Sequence, residues 1–347
     1  MITREFPPHV VGGISYHLSH LYSEIDRMGH DVDVISGSCE ESNSAGLLEM
    51  IPNSISVWEV PYGSIQGHSI RFSISLLQFL RNFDVGTYDV IFTHTPLPFS
   101  LNQPTITKFH DCPQEDRKYL RKDLNPHVRL MDSIYNPIRK ILTRKALNHT
   151  DYAIFNSYIC KEYWEKNYNI DNDGCVIHNG VDTDLFFPRD VTSRDFVLFV
   201  GNEERKGLSR VVEWAQSSSR PVKIAGTVTE DDLPSNIELV GKLPPKELAR
   251  LYSEAAATIH PAQFEAFGNI VLESIACGTP VVVSDSCGAA EIVTQPVGAV
   301  TTDIDQGLSL VKGASVDDCL DVATKYTWTK VAEKSLKVAQ KVIRNHQ

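Results

Sequence analysis

Two glutamates, Glu265 and Glu273, flank a glycine and an apolar run in the stretch FEAFGNIVLESIACGTPVVV, Phe264 to Val283. Gly268 and Asn269 are good helix starters, and NIVLESIAC continues until Gly278 and Pro280 stop it. Glu265 therefore falls in the loop ahead of a helix and Glu273 about one turn inside it. A rise of ~1.5 Å per helical residue plus an extended loop puts the carboxylates on the order of 10 Å apart. Paired acids of a glycosidase stand closer, at about 5–9.5 Å. Between the two glutamates lie the unpaired N–H groups of the helix start, which favour an anion. A ligand with hydroxyls at one end, phosphate in the middle and a diol at the far end fits this layout, and a nucleotide sugar has that shape. The same spacing also suits two unrelated acids, one on a surface loop and one on a solvated helical face.

Four other places carry groups suited to such a ligand. In FVGNEERKGL, Arg205 and Lys206 precede Gly207, and ERKG taken alone reads as an exposed charged turn. Gly12 and Gly13 open an amphipathic helix, and adjacent glycines let backbone approach a bulky ligand closely. His110 ends the apolar run TITKFHDC, at the edge where parallel sheets place ligands, with Asp111 next to it to orient the ring or cap the following segment. Asn156 and Ser157 end another such run and equally suit a helix cap. GxGxxG and Walker-type loops are absent. The Asp-x-Asp at Asp31 to Asp33 lies in a strand, and neither a metal nor another cofactor is expected.

The elements that must position these residues follow from the pattern. Short β-branched runs at 31–36, 55–61, 88–95, 104–111, 151–157, 174–180, 195–201, 221–226, 236–241, 256–262 and 280–285 alternate with helical stretches. In GISYHLSHLYSEIDRMGH, Ile14, Leu18, Leu21, Ile25 and Met28 form one apolar face closed by Gly29. Alternation of this kind predicts an α/β fold, parallel sheets with helices on both faces. At 347 residues and 42% hydrophobic, the chain suits two domains. The polar, proline-containing stretch 179–195 reads as the linker, so residues 1–180 and 181–327 are expected to be two doubly wound, Rossmann-like domains facing a cleft. A last helix at about 328–343 would cross back to the first domain. Only Met1 and Ile2 precede the first glycine loop, so the first strand is expected to be cut short.

Composition narrows the function. Seven scattered cysteines without a CxxC pair, no apolar run long enough to span a membrane and no signal-like start point to a reduced, cytoplasmic setting. A net charge of −11 argues against nucleic acid as a partner.

The whole pattern closely resembles the retaining family-4 glycosyltransferases of the GT-B fold. FEAFGNIVLE matches their E-x7-E motif, TREFPPHVVGG their glycine loop, GHDVDV their second strand, VIHNGVDTDLFFP their interdomain segment, FVGNEERKGL their phosphate-binding turn and YTWTKVAEK their closing helix. By this resemblance Glu265 meets the donor sugar hydroxyls, Glu273 the ribose diol, and the amides of Phe267, Gly268, Asn269 and Ile270 the sugar and phosphate. Lys206 neutralises the leaving diphosphate, His110 contacts the donor sugar, and the loop of Gly12 and Gly13 covers the reacting groups. The pattern breaks at Asn202, where the family usually has arginine, and Arg205 is expected to supply the guanidinium from a shifted position. A hexose-type sugar would pass from a nucleotide-sugar donor to a glycan or lipid-linked acceptor, without a metal, in a cleft that closes over the donor. A GT-B nucleotide-sugar epimerase and a catalytically weak sugar-nucleotide-binding protein are the alternatives.

Residues 117–145 carry nine Lys or Arg against Asp123 and Asp132. Such a basic, partly amphipathic segment suits an anionic membrane surface near a lipid-linked acceptor, and equally a solvated face balancing nearby acids.

Overall fold

The computed structural model describes the chain apart from residues 11–12, 41–50, 64–67, 124, 169–172, 229–232 and 347 and the side chains of 68, 69 and 120–123. Among the described residues, thirteen strands form two parallel sheets. The first contains β1 (Ile2–Thr3), β2 (Asp33–Cys39), β3 (Ser56–Gly63), β4 (Ile91–Thr93), β5 (Thr105–Phe109), β6 (Tyr152–Phe155) and β7 (Gly174–Val176), in the spatial order β3-β2-β1-β4-β5-β6-β7. The second contains β8 (Phe196–Val200), β9 (Val222–Ala225), β10 (Ile237–Gly241), β11 (Ala255–His260), β12 (Val281–Val283) and β13 (Gly298–Val300), in the order β10-β9-β8-β11-β12-β13. Each expected strand is present, and β13 joins them at the sheet edge. The helices are α1 (Ile14–Arg27), α2 (His68–Leu80), α3 (Pro113–Asp123), α4 (Pro126–Leu147), α5 (Tyr158–Tyr168), α6 (Leu208–Ser217), α7 (Pro245–Glu254), α8 (Asn269–Ala276), α9 (Ile304–Val311), α10 (Val316–Ala323) and α11 (Trp328–His346).

Period-two alternation explains why both faces of each sheet are covered. Val34, Ile106 and Ile154 face one core with α1, whereas their strand-mates Ile35, Phe109 and Phe155 face others. In the second sheet Val281 and Val283 face one core and Val282 the opposite one. This is the doubly wound α/β architecture that the alternation predicts. β1 contributes two residues, Ile2 pairing with Ile35 on one side and Thr93 on the other.

The chain passes between the sheets twice. Residues 177–195 form neither helix nor strand beyond a bridge between Val181 and Thr327, where the Val181 N–H donates to the Tyr326 carbonyl at 2.9 Å. From there α11 returns under the first sheet. Its Trp328, Val331, Ala332 and Ala339 share a core with Leu18, Leu21 and Ile25 of α1, and Thr329 donates to Glu24 at 2.9 Å. Among the described residues, no helix is long and apolar enough to cross a membrane.

Candidate active site

Beyond β8 the chain makes a 3-10 turn, Glu204–Lys206, then reaches Gly207 and α6. Gly207 takes a φ of 94°, and a Cβ there would collide with the Pro261 carbonyl oxygen. Only glycine satisfies both conditions. Its absence of a side chain presses the turn against the loop that follows β11, where the Gln263 N–H donates to the Arg205 carbonyl at 2.8 Å. Lys206, Arg205 and Glu265 are thereby brought together.

Arg205, expected to meet a phosphate, is held among three carboxylates. Its Nη1 lies 3.2 Å from Glu265 Oε1 and 3.5 Å from Asp116 Oδ1 on α3, and Nη2 lies 3.0 Å from Glu203 Oε2. Nη1 also donates to the Phe264 carbonyl at 3.2 Å. Burial alone would lower its pKa, but Glu265, Asp116 and Glu203 together raise it. The guanidinium thus orders the Glu265 loop and ties α3, packed on the first sheet, to the second. Lys206 is less committed: its ammonium is 3.9 Å from Glu203, beyond hydrogen-bonding range.

Glu265 is neither isolated nor a surface acid, its side chain being 16% exposed. Its N–H donates to Ser286 at 3.0 Å, its carbonyl accepts from Gly288 at 2.9 Å, and Oε2 lies 3.8 Å from Nε2 of His260. Burial lowers the His260 pKa to about 4, so that ring is neutral. Asp116 is pushed up to about 7, first by burial and then by Asp111, with Arg205 opposing.

Helix α8 begins after Gly268, which takes a φ of 96° and brings its backbone so close to Cys287 that a Cβ would stand 2.9 Å from the sulfur. Asn269 and Ile270 begin the first turn, whose N–H groups have no intrahelical acceptor. The buried Phe267 accepts from the Ala289 N–H at 2.7 Å, and Asn269 Oδ1 accepts from Asn179 at 2.9 Å. One turn in, Glu273 accepts from the Tyr252 hydroxyl at 3.0 Å. Burial pushes its carboxyl up to about 7, against the opposing Tyr252 hydrogen bond and Lys206 charge.

In the first unit β4 and β5 lie side by side, Thr93 opposite Thr107, and each is followed by a histidine. Nδ1 of His94 lies 2.8 Å from Nε2 of His110, and the Tyr22 hydroxyl lies 2.7 Å from Nε2 of His94. His17 packs edge-on against both His110 and Trp328, with ring centroids 4.7 Å apart in each pair. Burial, reinforced by Lys108, lowers the pKa of His17, His94 and His110. Lys108 is itself lowered to about 7 by burial. His94, rather than Asp111, holds the His110 ring, and Asp116 rather than Asp111 accepts the Cys112 N–H at 3.3 Å.

Asn156 and Ser157 do more than cap. Asn156 donates to the His110 carbonyl at 2.9 Å, while Ser157 accepts from the Cys160 N–H at 2.9 Å and donates to Ala266 at 2.6 Å. These adjacent residues connect His110 to the Glu265 loop. Gly13 caps α1 with a φ of −67° and has nothing within 4 Å of where a Cβ would point; Gly12 lies outside the described residues. Among the described residues no three His, Cys, Asp or Glu are grouped to hold a metal ion.

Residues 11–185 match the family model Glycosyltransferase Family 4, and residues 183–306 match Glycosyl transferases group 1. The first match alone spans half of the chain. The chain belongs to glycosyltransferase family 4. An uncharacterized glycosyltransferase of Methanocaldococcus jannaschii is 24% identical, over 97% of this chain and 96% of its own. Sucrose-phosphate synthase from Thermosynechococcus elongatus superposes with a TM-score of 0.77 at 14% identity, covering 99% of each chain. HepE of Anabaena, solved with UDP-glucose, gives 0.68 at 15% identity, covering 98% of this chain and 99% of its own. At such identities the structural likeness shows the fold, which is GT-B.

This glycosyltransferase also holds site neighbours that sequence reasoning passed over: Tyr22, His94, His17, Asp116 and His260. A usable signal existed only for His94. It ends the run YDVIFTHT just as His110 ends TITKFHDC, and two parallel strands placed side by side bring such ends together.

Proposed function

We propose that this glycosyltransferase moves a hexose-type sugar, with retention of configuration, from a nucleotide-sugar donor to a glycan or lipid-linked acceptor. The observation that carries the reading is the contact of two glycine-enabled loops, at Gly207 and Gly268, which gathers Lys206, Glu265 and the start of α8 beside one another. Glu265 binds the sugar hydroxyls, the amides from Phe267 to Ile270 and Lys206 hold the diphosphate, and Glu273 takes the ribose diol. His110 contacts the sugar from the first domain, the loop of Gly12 and Gly13 covers the reacting groups, and Arg205 keeps Glu265 aimed. HepE, a fold neighbour, binds UDP-glucose, which supports a donor of this class.

In the reaction the bond from the anomeric carbon to the phosphate oxygen breaks as the acceptor oxygen bonds to the same face. The acceptor's hydroxyl proton goes to the departing phosphate oxygen, and Lys206 and the helix start stabilise the charge that develops there. No protein base or metal ion is required by this scheme.

For the acceptor side, α4 supports contact with an anionic membrane. Leu130, Ile134, Ile138 and Ile141 are exposed along one stripe, with Tyr135 beside them, the exposed Lys140 and Arg144 on one flank and the exposed Lys145 at the stripe's end. Arg117 and Arg139 instead pair with Asp132. A donor screen by thermal shift, followed by NMR of the product's anomeric centre, tests the proposal. An inverted anomer removes retention, and no nucleotide release from any donor with acceptor extracts present removes the reading. Flotation with anionic but not neutral liposomes tests the membrane contact.

A further inference from the structure

The histidine cluster contains a hydrogen-bonded chain whose direction can be counted. Tyr22 lies on α1 at 3% exposure and His94 after β4 at 6%, so neither end of their 2.7 Å contact is open to solvent. Among the described residues the Tyr22 hydroxyl has no bonding partner except His94 Nε2, and its ring stands at 90° to the imidazole. A phenol has one hydrogen to give. Were His94 Nε2 the donor, that phenol hydrogen would be buried without an acceptor, an arrangement native interiors avoid. The hydroxyl therefore donates, and His94 Nε2 accepts.

The rest follows ring by ring. A neutral imidazole that accepts on Nε2 carries its hydrogen on Nδ1. His94 Nδ1 then donates across 2.8 Å to Nε2 of His110. His110 accepts on Nε2 and so carries its hydrogen on Nδ1, the nitrogen that makes no bond among the described residues. Neutrality of both rings is supported independently, since burial and Lys108 disfavour their charged forms. The Asn156 amide, bonded to the His110 carbonyl at 2.9 Å, holds the backbone from which the ring projects.

We propose that Tyr22 and His94 are positioning residues that lock His110 in its Nδ1–H tautomer, so that His110 meets the donor sugar as a hydrogen-bond donor and not as a base. This rests on the reading of His110 as a sugar contact, and it refines that reading. A group that can only donate selects an oxygen able to accept, such as a hydroxyl, and disfavours an ammonium sugar at the same position. It also leaves the phosphate oxygen as the proton acceptor during transfer, because the one free nitrogen of His110 already carries hydrogen.

The test is a long-range proton–nitrogen correlation spectrum of the full chain carrying 15N-histidine, ligand-free at pH 7.5, with His110 assigned by His110→Asn. The expected spectrum shows His110 and His94 each with a protonated Nδ1 and an unprotonated Nε2. In Tyr22→Phe, whose ring still fills the core, the source of the chain is gone, and both histidines should move toward mixed tautomers while the melting transition is preserved. A wild-type His110 protonated on Nε2 overturns the inference, as does a Tyr22→Phe spectrum with unchanged tautomers. Should Tyr22→Phe not fold, the wild-type spectrum decides alone. Transfer by His110→Ala, measured with the donor returned by the screen above, separates the two layers. Full transfer there overturns the sugar contact, and a fall of roughly tenfold or more supports it.

Discussion

Two regions rich in ionisable side chains solve opposite problems. Around the loop of the second domain, Glu203, Glu265 and Asp116 all lie within ion-pair distance of Arg205, so that one guanidinium is shared by three carboxylates. The cluster of the first domain gathers His17, His94, His110 and Lys108, all of one potential sign, and burial keeps the histidines neutral. One side holds its charges in ion pairs, the other holds polar atoms without charge. That division matches the chemistry proposed, in which negative charge develops on phosphate while the sugar is held by hydrogen bonds.

The sharpest break of this comparison comes from removing charge where it is used. Lys206→Ala and Glu265→Ala should each lower transfer by about a hundred- to a thousandfold, the range for losing one preorganised electrostatic contact. Initial rates and melting curves on the same preparations check this. The fold should survive, because Arg205 keeps Glu203 and Asp116 as partners when Glu265 is lost. Full activity in either variant would end the site assignment. Next comes the geometry that brings the loops together. Gly207→Ala imposes both a left-handed residue with a side chain and a collision with the Pro261 carbonyl, and should destabilise by about 2–4 kcal/mol with loss of transfer. Urea denaturation measures it, and a neutral Gly207→Ala would mean that the loops are not pressed together.

Much of this was legible beforehand, and the reason differs by region. The second-domain site is nearly contiguous: Glu265, Gly268 and Glu273 lie on one stretch whose helix start and stop are written locally, and α8 begins where Gly268 and Asn269 place it. The first-domain cluster is assembled from α1, the end of β4 and the end of β5, so its members are distant in sequence and meet only through sheet order. Arg205 shows a second limit. Its number and type were readable, but its capture by Asp116 depends on α3 coming from the other domain, which no local pattern encodes. The strand β13, GAV, is too short and too small-residued to stand out by alternation, and its pairing with β12 is what makes it a strand.

A subtler test uses pH, because the two regions should respond with opposite sign. The Glu273 carboxyl, raised to about 7, is bound to its proton more tightly in the folded protein than in the unfolded chain. Its contribution to stability is therefore greatest in acid and is lost as pH rises from about 4.5 to about 7. Asp116 has the same sign. Glu273→Gln removes the titration, so its stability relative to the parent should rise between pH 5 and pH 8 by at most about 3 kcal/mol. Donor affinity should fall in the same variant, because the proposed ribose contact loses its charge. Equal stability differences at the two pH values would show that Glu273 titrates normally.

The smallest effect lies on the other limb. His17 is buried with both ring nitrogens unbonded among the described residues, wedged between His110 and Trp328. Because its folded pKa is depressed, the unfolded chain takes up a proton that the folded one refuses as pH falls below about 6.5, and stability is lost on that side. His17→Phe keeps an aromatic ring in the slot and removes both the proton site and the unbonded nitrogens. At pH 8 it should be neutral or stabilising by about 1 kcal/mol, the gain expected from not burying an unpaired polar group. At pH 5 a further gain of up to about 2 kcal/mol should appear, since the parent alone then loses stability by this route. Denaturant titrations of parent and variant at both pH values measure the difference. A gain that does not change with pH would assign the whole effect to the unbonded nitrogens, and the two regions would then no longer be opposites in their response to protons.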